Sequence, residues 1–258
     1  MSVLSYLNDL SSRLVIPSHE EASIKTSISA LENHLRVWEH SADIIEKFAF
    51  GSFDRDTILP RWADSDSDVD YMIVFRNLNN YQPQTLLNWL RGFAQNKYPR
   101  SYNQQSFPTV VLNLTNIRFE LVPAVKPWGY MIPTKESFYG SWQNTDPLTL
   151  KRKITSANVV NGYIRPLIRL MKYWNARNGK VYPSFELETY VASRMFWQNM
   201  NLEGCFYSLV ENLPVNYAYP QYKKNIINNL KYKVRLIQEY QRNGRYQMAE
   251  DTVRTIFE

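Results

Sequence analysis

Residues 51–75 read GSFDRDTILPRWADSDSDVDYMIVF, and the fold turns on how this stretch is read. A Gly51-Ser52 turn leads through a polar loop into Asp68-Val69-Asp70, and the apolar run Tyr71-Met72-Ile73-Val74-Phe75 follows. Side chains alternate across a strand, so an extended run puts Asp68 and Asp70 on one face, Val69 and Tyr71 on the other. Two adjacent carboxylates at the mouth of a sheet repel each other and lose hydration, a cost that a divalent cation relieves. A third acid lies in Ile117-Arg118-Phe119-Glu120-Leu121-Val122, where Ile117, Phe119 and Leu121 share one face and Glu120 points to the opposite one. A turn suited to phosphate together with three strand-borne carboxylates is the equipment of two-metal nucleotidyl transfer.

The competing readings are weaker. Asp64, Asp66, Asp68 and Asp70 recur at every second position, like the opening of a calcium-binding EF-hand loop. That loop requires Gly at its sixth position and Glu at its twelfth; counted from Asp64 these are Val69 and Phe75, which excludes it. Asp64 and Asp66 read as a solvated turn, whereas Asp68 and Asp70 join the strand directly. Gly51-Ser52 alone would mark only a turn. Its weight comes from closing Lys47-Phe48-Ala49-Phe50, a second strand, just before the acids.

Composition narrows the class. A chain of 258 residues buries a sizeable core and suits one bilobal unit. A net charge of +6 is compatible with anionic substrates and is too mild to indicate nucleic-acid binding. The single cysteine, Cys205, excludes an intrachain disulfide and suits a reducing compartment. His19, His34 and His40 are the only histidines and all lie near the N-terminus, so no Cys/His zinc site is expected. No stretch approaches the run of about 18 apolar residues that spans a bilayer, and Met1-Ser2-Val3-Leu4-Ser5-Tyr6 lacks a signal-peptide pattern. A cytoplasmic protein with no membrane partner is the expectation.

Periodicity sets the organisation. Pro17-Ser18-His19-Glu20-Glu21 has Ser18 and Glu21 in capping-box spacing, and Ile24, Ile28, Leu31 and Leu35 continue at helical intervals, predicting a helix over 19–39. Strands are expected at 46–50, 68–75, 108–114 and 117–123, with a helix at 83–95 and an irregular connection over 124–150. Helices are expected at 159–177, 184–200, 222–241 and 246–257. The class is α+β: a small mixed sheet with flanking helices in a catalytic core of residues 1–155, then a helical lobe of residues 156–258, with substrate in the cleft between.

These motifs resemble the DNA polymerase β-type nucleotidyltransferase superfamily, on the Gly51-Ser52 turn, the Asp68-Val69-Asp70 strand and the later Glu120. The segments Arg165–Asn175 (RPLIRLMKYWN) and Pro183–Glu188 (PSFELE) are similar to the helical segments of the CD-NTases, bacterial relatives of cyclic GMP-AMP synthase and oligoadenylate synthase. The resemblance runs from about Ser18 to the C-terminus. Two departures stand out: Glu120 replaces the Asp of many relatives, and the interval from Ser52 to Asp68 is long.

The resemblance implies a template-independent enzyme that joins NTPs into a cyclic di- or oligonucleotide messenger for antiphage signalling, read by a downstream effector. Two Mg²⁺ ions, with Mn²⁺ as substitute, would be held by Asp68, Asp70 and Glu120. It also implies that Lys172 contacts the nucleotide phosphates and Phe185 stacks on the base; a surface lysine and a core phenylalanine are the plain alternatives. Ser184 reads as the N-cap of the helix bearing Glu186 and Glu188, at a terminus suited to phosphate. Arg55 and Thr57 follow Gly51-Ser52 and are phosphate candidates, against the default of a solvated loop. The zinc-bearing DNA insertion of the animal cyclic GMP-AMP synthase has no ligands here. The basic groups Lys151-Arg152-Lys153 and Lys223, Lys224, Lys231, Lys233 and Arg235 permit a nucleic-acid activator without indicating one, a charged outer helix face being the plain reading. The alternatives in function are transfer to another acceptor (a tRNA end, a protein or an antibiotic) and a nucleotide-binding pseudoenzyme.

Overall fold

The computed structural model describes residues 2–101, 103–115, 117–134, 141–197 and 200–258. In chain order the elements are α1 (Val3–Arg13), α2 (Ser18–Arg36), β1 (Ile44–Phe50), α3 (Gly51–Asp54), β2 (Asp68–Phe75), α4 (Pro83–Lys97), β3 (Asn103–Ser106), β4 (Thr109–Asn113), β5 (Arg118–Val125), β6 (Met131–Thr134) and β7 (Ser141–Asn144). Six further helices follow: α5 (Thr149–Val160), α6 (Ile164–Arg177), α7 (Ser184–Ala192), α8 (Leu202–Glu211), α9 (Gln221–Arg242) and α10 (Tyr246–Phe257).

The chain divides into two units, one of Ile16–Ile58 and Asp66–Lys151, the other of the N-terminal residues through Val15, Leu59–Ser65 and Arg152–Glu258. The division therefore does not follow a single boundary near residue 155. The first helix and the loop ahead of the acids both pack with the C-terminal helices. Val3, Leu7 and Leu10 bury one face of α1, and helical spacing alone makes that face too short to advertise its partner.

The sheet unit is organised around β2 and β5. Strand order is β1-β2-β5-β4-β3, with β6 on β5 and β7 on β6, and β2 and β5 run parallel while the other pairs are antiparallel. Along β2 and β5 the first four residues alternate half-buried and buried, and the last four are fully buried. Such double-faced burial is what a parallel central pair requires, and the apolar runs YMIVF and LVPAV supply it. Val69, Tyr71, Ile73, Phe119 and Leu121 pack with Ile24, Leu31 and Leu35 of α2 and Leu86, Leu90 and Phe93 of α4 in one core. Met72, Val74 and Ala124 form a smaller cluster on the other side. Tyr71 crosses the main core to donate a 2.8 Å hydrogen bond to Glu32 of α2, which ties β2 to its covering helix.

In the helical unit, Tyr6 of α1, Tyr173 of α6 and Phe206 of α8 converge on Phe257 of α10 at 5.8–6.3 Å between ring centroids. No helix among the described residues is long and apolar enough to cross a membrane.

Four local expectations are corrected. Residues 131–134 and 141–144 form strands where an irregular connection was expected over 124–150, of which 135–140 lie outside the described residues. Residues 159–177 are not one helix, since α5 ends at Val160 and α6 starts at Ile164. The helix expected over 184–200 stops at Ala192, and residues 194–197 are not helical. Residues 198 and 199 of that expected helix lie outside the described residues. The expected capping box is also absent: Pro17, in an extended conformation, is the N-cap of α2 and has no side chain to accept, so Ser18 becomes the first helical residue.

Candidate active site

The sheet fixes the carboxylates through its register. Parallel pairing sets Asp68 opposite Arg118 and Asp70 opposite Glu120, so these four residues make a two-by-two array on one face at the start of β2 and β5. All four are half-buried, while the intervening Val69 and Phe119 are fully buried in the core behind them. Three acids and one arginine thus share a surface, with no side chain of the apolar core between them.

The Gly51 turn closes against this array. Gly51 takes φ +72°, and a Cβ added there would fall 1.8 Å from Oδ2 of Asp70. Backbone and carboxylate therefore approach as closely as only glycine permits. The loop beyond is folded onto the Ser52 carbonyl, which accepts from the backbone N–H of Thr57 and Ile58, both at 3.0 Å, and from Thr57 Oγ1 at 3.4 Å. Arg55 and Thr57 are buried rather than solvated. Lys151 donates to Asp54 at 2.7 Å from the far end of the unit, holding α3 from its acidic side.

Glu120 is turned toward neighbours of its own. Arg118 Nη2 donates to Oε1 at 2.6 Å and Thr109 Oγ1 to Oε2 at 3.5 Å. Arg118 Nε is buried without a hydrogen-bond partner among the described residues. Among the described residues no three Asp, Glu, His or Cys side chains are gathered closely enough to hold a metal ion. The donor chemistry nonetheless suits one: three carboxylates on one face present only hard oxygen donors, the ligands that Mg²⁺ and Mn²⁺ prefer. The glycine cradle leaves room for Asp70 within that set.

The other candidates lie in the helical unit. Lys172 of α6 is buried and pairs with Glu188 of α7 at 3.1 Å, and Glu188 is wholly inaccessible. Lys172 is therefore not the surface lysine of the plain reading. Ser184 is not an N-cap: Pro183 (φ −57°, ψ 135°) takes that position, its carbonyl accepts from Leu187 N–H at 3.0 Å, and no side chain caps α7. A proline already extended at that place displaces the cap by one residue. Phe185 is 61% exposed, which removes the core alternative. The basic helix α9 behaves as ordinary surface: Lys223, Lys231 and Lys233 donate to the carbonyls of Val181, Leu213 and Thr255 at 2.7–3.1 Å.

Sequence reasoning left Arg118 and Glu188 without a role, although both stood inside motifs that were singled out. Arg118 had a readable signal, since residues two apart on a strand share a face. Glu188 had none, because a buried partner sixteen positions from Lys172 is set by helix packing. A cavity of about 570 Å³, lined by Phe75, Arg76, Tyr81, Lys126 and Trp142 among others, lies at the other end of β2 and is separate from the acids.

Residues 1–158 match the family profile described as the Second Messenger Oligonucleotide or Dinucleotide Synthetase domain. The chain is 26% identical to a probable cyclic nucleotide synthase of Bacillus cereus, over 62% of this chain and 52% of that protein. It is 25% identical to a cyclic AMP-AMP-AMP synthase of an Acinetobacter species, over 74% of this chain and 58% of that one. It thus spans little more than half the length of these relatives. The fold is similar to that of the Bradyrhizobium diazoefficiens CD-NTase CdnG in complex with GTP, with TM-score 0.71, 12% identity and coverage of 97% and 96% of the two chains. It is likewise similar to Escherichia coli CdnC with ATP, with TM-score 0.68, 14% identity and coverage of 98% and 96%.

Proposed function

From a chain that belongs to the Second Messenger Oligonucleotide or Dinucleotide Synthetase family, the CD-NTases, we propose a nucleotidyltransferase that joins NTPs into a cyclic oligonucleotide. The observation that carries this reading is the register of Asp70 with Glu120, Asp68 two residues earlier on the same face, and the Gly51 turn closed over Asp70. Asp68, Asp70 and Glu120 would hold Mg²⁺ or Mn²⁺. Bound there, divalent metal supplies charge neutralisation at the triphosphate and a lowered pKa for an acceptor hydroxyl.

The chain's own residues account for the rest. Gly51 lets the backbone of the turn come down on the array, where a side chain would be excluded. The Ser52 carbonyl, with its three loop donors, fixes the path from residue 52 to 58, so the turn is rigid before any nucleotide binds. A turn whose path is fixed beforehand needs no reorganisation during the reaction. The nucleotide contacts assigned to Lys172, Ser184 and Phe185 are part of the proposal; the exposure of Phe185 supports base stacking, whereas buried Lys172 would reach phosphate only where nucleotide competes with Glu188 for its charge. A messenger function carries with it a cytoplasmic setting, an effector that reads the product and a role in antiphage signalling.

The test is incubation of purified protein with all four NTPs and Mg²⁺ or Mn²⁺, followed by phosphatase treatment and mass spectrometry. A phosphatase-resistant cyclic oligonucleotide, absent with Asp70→Asn, is the expected result. Turnover only on adding an RNA end or a protein would replace the cyclase reading with transfer to that acceptor. Equal turnover by Asp70→Asn would overturn the assignment of the site.

A further inference from the structure

The two-by-two array contains a cation where the proposed chemistry calls for acids alone. Arg118 stands opposite Asp68, on the same face as all three carboxylates, and its guanidinium reaches along β5 to Glu120. The contact is a single one, Nη2 to Oε1 at 2.6 Å, rather than the forked pairing that makes Arg–carboxylate bridges strong. Among the described residues the Nε of the same guanidinium is buried without a hydrogen-bond partner, so their contacts do not fully satisfy Arg118. Both side chains keep partial access to solvent, 32% and 21%. Among the described residues, meanwhile, Glu120 is not gathered with other acids into a three-ligand group.

We propose that Arg118 is a resident counter-ion of the acid array, a positioning residue that holds Glu120 until a divalent cation displaces it. The inference rests on the reading of Asp68, Asp70 and Glu120 as metal ligands. Three carboxylates on one strand pair repel one another in the nucleotide-free protein, and a guanidinium in the same array offsets that repulsion. A one-point contact with a poorly satisfied donor is easily exchanged. A divalent cation brings twice the charge and oxygen coordination that a guanidinium lacks, so it wins Glu120 while Arg118 lowers its apparent affinity. The array is then stable when empty and commits its third ligand only on loading.

The test measures metal binding without turnover. Mn²⁺ is titrated into nucleotide-free protein and free Mn²⁺ is followed by electron paramagnetic resonance, for wild type, Arg118→Met, Glu120→Gln and the double variant. Arg118→Met is expected to bind Mn²⁺ about tenfold more tightly, the factor that corresponds to about 1.4 kcal/mol. In the Glu120→Gln background the same substitution should gain no more than about twofold, because the carboxylate that Arg118 holds is gone. Arg118→Lys, which keeps the charge, covers the case of a poorly folded Arg118→Met and should fall between wild type and that variant; thermal unfolding checks each protein. Unchanged or weaker binding by well-folded Arg118→Met overturns the proposal. So does an equal gain in the Glu120→Gln background, which would make Arg118 a distant charge only. If wild type shows no Mn²⁺ binding that Asp70→Asn removes, the ligand reading itself falls, an outcome distinct from the other two.

Discussion

At the scale of single residues, one backbone conformation in the sheet unit and one buried charge pair in the helical unit make separate predictions. Gly51→Ala places a methyl group 1.8 Å from the Asp70 carboxylate and asks an L-residue to hold φ +72°. The substitution should cost at least about 1–2 kcal/mol and abolish turnover, checked by urea unfolding and by NTP consumption. Near-normal values of both would mean that the turn and Asp70 are not coupled. Lys172 and Glu188 offer a sharper test, because removing one partner of a buried pair takes a 3.1 Å ion pair away from the charge that remains. Lys172→Met or Glu188→Gln should each cost about 3–5 kcal/mol, whereas Lys172→Met with Glu188→Leu should recover most of the loss. Additive losses in the double variant would refute the pairing. The sequence exposes Asp68, Asp70 and Gly51 because chemistry and turn geometry restrict what can stand there. It leaves Glu188 silent because nothing local distinguishes a buried glutamate from a solvated one on the same helix.

At the scale of elements, strands and helices with strong periodicity are read closely, and those defined by tertiary contact are not. The run DVDYMIVF delimits β2 at Asp68 and Phe75, and the amphipathic pattern delimits α10 at 246–257. The strands β6 and β7 escape because four residues carry no readable period, and their pairing, β6 with β5 and β7 with β6, is what makes them strands. The gap between α5 and α6 escapes because Asn161 breaks the helix through its own side chain, which accepts from Tyr163 N–H at 3.0 Å. Caps show the same limit. Ser184 looks like a cap and is not one, whereas Asn201 is one, its Oδ1 accepting from Gly204 N–H at 2.9 Å. Asn201→Ala should therefore cost about 1 kcal/mol, and Ser184→Ala should stay within about 0.5 kcal/mol in thermal unfolding. A loss of activity by Ser184→Ala at unchanged stability would then report a contact with nucleotide rather than with the helix.

At the scale of the whole molecule, the abundance of tyrosine, 18 of 258 residues, sets an alkaline limit to stability. Tyr71, Tyr182 and Tyr207 are buried, and burial is the main reason that each has a pKa raised well above the ordinary tyrosine value. Each also uses its hydroxyl proton: Tyr71 donates to Glu32 at 2.8 Å, Tyr182 to the Pro214 carbonyl at 2.6 Å and Tyr207 to Glu203 at 2.8 Å. The folded state thus retains protons that the unfolded chain loses from about pH 10 upward. Because the unfolded state then binds fewer protons, stability falls as pH rises. The contribution is fully present below pH 10 and drains away above it, by about 1.4 kcal/mol per pH unit for each tyrosine that ionises only on unfolding. Urea unfolding at pH 8, 10 and 11 should show this decline. Tyr182→Phe isolates one contribution: it loses the bond to Pro214 and should be less stable than wild type at pH 8. With one fewer proton retained on folding, it should also decline less steeply above pH 10, so the two stability curves converge. Parallel curves would mean that Tyr182 ionises alike in both states, and its burial would then be irrelevant to the alkaline limit.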